Sequence, residues 1–131
     1  MISASMPWIP SSWGEILDKI SILGIKSERL EEVRSLADVR SELQALCAIR
    51  DRHLAPDERV VALSTELDAI NRRLWDLEDR LRVLEAAQRF DAEFVENARR
   101  VYLTNDRRAA IKNQINALTG SRFFGEKIYG G

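Results

Sequence analysis

Eight apolar residues, Val60, Leu63, Leu67, Ile70, Leu74, Leu77, Leu81 and Leu84, follow one another at alternating spacings of three and four. No proline or glycine falls between residues 57 and 88. A strand exposes every second residue to one side. A repeat averaging 3.5 residues instead keeps one edge of a helix against a neighbour along its whole length. At about 1.5 Å per residue the segment predicts a rod of about 45 Å. A 131-residue chain that contains such a rod is expected to be all-α and built around it.

The flanking sequence supplies the other helices. Residues 1–11 contain Pro7 and Pro10 and read as irregular. Ser12 is a natural N-cap, with Glu15 at the capping-box position. Trp13, Ile16, Ile20 and Leu23 then mark a first amphipathic helix, weakened by about 1 kcal/mol at Gly24. A break is expected near residues 33–35. Leu36, Val39, Leu43 and Leu46 carry a second helix to about His53, and Pro56, Asp57 and Glu58 open the long third one. A fourth helix starts at Phe90 or Asp91 and stops at Gly120. The expected fold is one domain, residues 1–131: an antiparallel bundle of about four helices. Residues 121–131 form a tail whose Phe123, Phe124 and Tyr129 can dock on the bundle.

The fourth helix has a fault in its pattern. Phe94, Ala98, Val101 and Tyr102 define one apolar side, whereas Ile111, Ile115 and Leu118 define another. A break or kink near Thr104 to Asp106 would let both stripes face one core, with Thr104 or Asn105 as a new N-cap. The alternative is an unbroken helix. It would carry Asn105, Arg108, Lys112 and Asn116 as a polar ladder on its inner side and turn Leu103 to solvent. The broken helix is the expectation, because buried polar groups are costly without partners.

Net charge is −1, which gives no general attraction to nucleic acid or to an anionic membrane. The charge is uneven: from Asn97 onward seven basic residues stand against Asp106 and Glu126, leaving +5 there and −6 in the rest. The basic quarter could hold an anionic small molecule or the chain's own acidic helices. Cys47 is the only cysteine, which excludes an intrachain disulfide and fits a reducing compartment. The N-terminus has no secretory pattern, and no apolar run approaches the roughly 20 residues of a membrane span. A cytoplasmic location is expected.

Signatures of chemistry are sparse. His53 is the only histidine and lies near a helix end, and no zinc ligand set or phosphate-binding glycine loop occurs. Acid pairs at helical spacing, such as Glu15 with Asp18 or Glu28 with Glu31, lack the matching pair that a magnesium site between helices needs. No metal or cofactor is expected. The leucine edge offers an association mode instead. In a parallel homodimer through Leu67, Ile70, Leu74, Leu77, Leu81 and Leu84, Arg73 would meet Glu78 and Arg80 would meet Glu85.

Several stretches resemble a family of small bacterial proteins of unknown function: SWGEILDKISILGIKSERL (12–30), INRRLWDLEDRLRVLE (70–85), FDAEFVENARRVYLTNDRRAAIKNQINALTGS (90–121) and EKIY (126–129). The resemblance lies in extended wording and carries no catalytic signature. It implies a role beside lipopolysaccharide or capsule synthesis, whose genes neighbour those of the family. The expected function is therefore a non-catalytic interaction or scaffold protein that forms a homo-oligomer or binds a partner protein. The alternative is a small enzyme or binding protein for a phosphorylated or nucleotide-sugar ligand. Its site would be Asn105, Asp106, Arg108 and Lys112, facing Glu78 and Asp79 of the third helix.

Overall fold

The computed structural model describes residues 5–121. Four helices follow in order: α1 (Trp13–Arg29), α2 (Val33–His53), α3 (Glu58–Ala86) and α4 (Ala92–Thr119), and no strand occurs among the described residues. The all-α bundle and its long third helix match the pattern in the sequence. The aromatic tail lies outside the described residues.

Local signals set the helix ends. The Ser12 hydroxyl accepts from the Glu15 backbone N–H at 3.2 Å. Only half of the expected capping box forms, because the Glu15 carboxylate turns to Lys112 instead. Asp57 and Asp91 cap α3 and α4 through their side chains. Gly120 ends α4 at φ 66°, the left-handed conformation that glycine adopts without penalty. The break between α1 and α2 falls at residues 30–32, slightly before its expected place.

α1 occupies the middle of the molecule. It packs on α2, α3 and α4, while α3 and α4 form a hairpin and α2 touches α1 alone among the helices. The core joins Leu17 of α1, Val60 and Leu67 of α3, and Ile111 and Ile115 of α4, with Trp13, Leu63 and Leu118 packed around them. Leu67, Ile111 and Ile115 are fully buried. Each large aliphatic side chain removed from water contributes about 1.5–3 kcal/mol, so this cluster is what fastens α1 to the hairpin.

The expected break in the fourth helix is not there. α4 runs as one 28-residue helix through Thr104, Asn105 and Asp106. The reason is the one that the broken form was meant to avoid: the inward polar groups have partners. α1 supplies them.

Candidate functional site: a polar ladder between α1 and α4

Gly14, Asp18 and Ser21 recur at helical spacing on one side of α1; Gly14 and Asp18 meet the inner polar stripe of α4, and Ser21 meets α3. The two helices run antiparallel, so contacts climb one as they descend the other. At the bottom the Asn116 carbonyl accepts from the Gly14 backbone N–H at 2.7 Å, an N–H of the first turn that has no partner within the helix. A Cβ on Gly14 would lie 2.6 Å from that oxygen and 2.6 Å from the Lys112 carbonyl, so only glycine lets the helices come this close. Beside it the Ser121 hydroxyl accepts from the Trp13 N–H at 3.0 Å.

One step higher, Lys112 bonds Glu15 at 2.7 Å and lies 3.6 Å from Asp18. Asp18 is the centre of the arrangement, with a side chain only 5% exposed. Arg108 grips both of its oxygens, with Nε donating to Oδ1 at 2.9 Å and Nη2 donating to Oδ2. The Asn71 amide of α3 donates to the same carboxylate at 3.0 Å and to the Ser21 hydroxyl at 3.1 Å. The hydrogen bond that Arg108 donates to Asp18 raises the guanidinium's pKa above its ordinary value, against the opposing effect of burial. The network continues outward: Ser21 donates to Asp68, Asp68 binds Arg72, and Arg72 forks onto Glu28.

The residues anticipated as a ligand site separate into two groups. Asn105, Arg108 and Lys112 share the inner face, with Asn105 accepting from Arg108 at 3.4 Å. Asp106 points outward and is exposed, as are Glu78 and Asp79. The charge of Glu78 acts on Arg108 less than those of Asp18 and Glu15, and Glu78 makes no hydrogen bond to it. The acids that meet the ladder belong to α1. Sequence reasoning noticed Asp18 only as an acid pair with Glu15 and did not connect it, Ser21 or Asn71 with the ladder. The available signal was the small-and-polar stripe Gly14, Asp18 and Ser21 of α1, which keeps helical spacing as the polar stripe of α4 does.

The leucine edge of α3 is turned inward. Leu67, Leu74 and Leu84 are buried and Ile70, Leu77 and Leu81 half-buried within the chain's own fold. Arg80 is bonded to Glu93 of α4 at 2.7 Å rather than left for another chain. A groove of about 710 Å³ lies along α3 and α4, lined in part by Arg72, Arg73, Arg80, Glu93 and Asn97. No ladder residue lines it. Cys47 is half-buried on α2, and His53 is exposed in its last turn. Among the described residues no group of three His, Cys, Asp or Glu side chains could hold a metal ion, and no helix is long and apolar enough to cross a membrane.

No curated protein and no solved structure matches the chain. A family model matches it over residues 9–131, which includes all four helices and the whole ladder, and the chain belongs to that family of unknown function, DUF6165.

Proposed function

We propose that this chain is a non-catalytic helical interaction protein that works in the cytoplasm by holding its own copies or a partner protein. One observation carries the reading: the cationic groups of the ladder are neutralised inside the fold. Arg108 and Lys112 face Asp18 and Glu15, and among the described residues no buried side-chain nitrogen or oxygen lacks a hydrogen-bond partner. A ligand site needs polar groups that converge on a cavity with capacity to spare. The ladder has neither, since it is packed among α1, α3 and α4 and satisfied by its neighbours. Its chemistry is that of a clamp.

The resemblance to proteins encoded beside lipopolysaccharide and capsule genes supports a role in surface-polysaccharide assembly. Deleting the gene in its host should then change the surface-polysaccharide pattern on a gel, and an unchanged pattern would remove that part of the reading.

The test of the main claim is a thermal-shift series on the full chain with UDP-sugars, sugar phosphates, magnesium and manganese. No compound is expected to raise the melting temperature. A rise that grows with the concentration of one compound would replace the clamp with a binding site.

A further inference from the structure

Because α4 is unbroken, its outer side is a continuous stripe, and that stripe is unusually apolar for a solvent face. Val95, Tyr102 and Leu103 are 54%, 54% and 52% exposed. Alanines 110 and 117 extend the stripe and are exposed as well. α4 packs only on α1 and α3, so nothing within the described residues covers this side. Large apolar side chains gathered on one open face mark a contact surface.

We propose that this face joins two copies of the chain, with the α4 helices antiparallel and the two-fold axis passing between Tyr102 and Leu103. The proposal rests on the interaction-protein reading and names its surface. The charge pattern selects a second copy as the occupant. A two-fold interface must be its own complement, so that residue i meets j and j meets i. Along the middle of the stripe one cation, Arg99, and one anion, Asp106, flank the apolar pair at equal distances, and both are exposed. They are seven residues apart, about 10.5 Å along the axis and within about 20° around it. Turning one helix end for end about the Tyr102–Leu103 midpoint places each Arg99 opposite the other chain's Asp106. The same operation sets each Val95 against Ala110. Among the described residues the Asp106 side chain makes no hydrogen bond or ion pair, and the Arg99 side chain has only a 3.6 Å approach to Glu96. A parallel arrangement would instead set like charge against like.

This surface is distinct from the leucine edge of α3, which the fold uses for its own core. It also accounts for Asp106, which is exposed like Arg107 but, unlike Arg107 with its Glu66, has no side-chain partner among the described residues.

The experiment is light scattering on the full chain from low to high micromolar concentration. The 15.0 kDa monomer should shift toward twice that mass as concentration rises. Leu103→Lys, Arg99→Asp and Asp106→Arg should each weaken the dimer by about tenfold or more. All three positions are exposed, so circular dichroism and the melting point of the dilute monomer should stay close to those of the parent. The double variant R99D/D106R should regain the dimer, since the swapped charges again meet in an antiparallel pair. A parent that stays monomeric overturns the proposal, as does a dimer indifferent to Leu103→Lys or a double variant that does not recover. A monomeric parent together with a silent ligand screen would remove this interface and leave the interaction-protein reading intact.

Discussion

Arg108 and Asp18 stand ninety positions apart in the chain, yet Nε of one donates to Oδ1 of the other at 2.9 Å in a site where the carboxylate is almost wholly buried. A pair of this kind adds little net stability over an apolar pair of the same size, because both charges lose their hydration. Losing one partner is another matter. Asp18→Ala leaves Arg108 and Lys112 side by side with no buried anion between them. We expect a loss of about 3 kcal/mol, read as a melting temperature lower by roughly 10 °C. Asp18→Leu combined with Arg108→Met should recover most of it, and a double variant no better than the singles would show that the pair does more than satisfy itself.

The two helical glycines of α1 should respond in opposite directions to alanine. Alanine favours a helix interior by about 1 kcal/mol over glycine. At Gly24 a Cβ meets nothing within 4 Å, so Gly24→Ala should raise stability by about 0.5–1 kcal/mol. At Gly14 the Cβ meets the Lys112 backbone carbonyl and the Asn116 side chain at 2.6 Å. That backbone cannot move without moving α4. Gly14→Ala should therefore lower the midpoint of urea unfolding despite its better helix propensity, and a gain would show that the α1–α4 approach is looser than the structure shows.

How much of this was legible in advance depends on where each partner lies in the sequence. The repeat from Val60 to Leu84 was readable because every member sits within one or two turns of the next. Ser12 and Gly120 were readable for the same local reason. The continuity of α4 was not, because Asn105, Arg108, Lys112 and Asn116 look like solvent residues until their partners are known. Three of those partners, Gly14, Glu15 and Asp18, lie about a hundred residues upstream. Hydropathy registers that a polar group costs energy when buried, but it holds no record of which distant residue offsets the cost. The candidate site was legible to the same extent: Asn105, Arg108 and Lys112 do share one face, whereas the facing acids come from α1 and not from Glu78 and Asp79.

Glu78 and Asp79 are exposed, and neither has a hydrogen bond to the ladder. Replacing either by alanine should change stability by less than about 0.5 kcal/mol, the usual range for surface positions without a special partner. Thermal melts of the two variants beside Asp18→Ala provide the comparison. A loss from Glu78→Ala close to that from Asp18→Ala would mean that Glu78 reaches Arg108 directly.

Acid should weaken the fold by a route that salt can reveal. Hydrogen bonds from arginine hold four carboxylates below their ordinary values: Arg72 acts on Glu28, Arg80 on Glu93, Arg59 on Asp57 and Arg89 on Asp91. A carboxylate whose pKa is lower in the folded state binds its proton more readily after unfolding. Its contribution is therefore present above the ordinary value, 4.5 for glutamate and 3.8 for aspartate, and is lost as pH falls through the lowered one. The urea midpoint should be level from pH 7 to about 5 and then decline. All four acids sit at the surface, so each contribution is small and screened. Raising the salt concentration should flatten the decline. The double variant E28Q/E93Q should flatten it too, while starting from a lower midpoint at pH 7. A midpoint that fell as steeply in that variant as in the parent would place the acid sensitivity elsewhere.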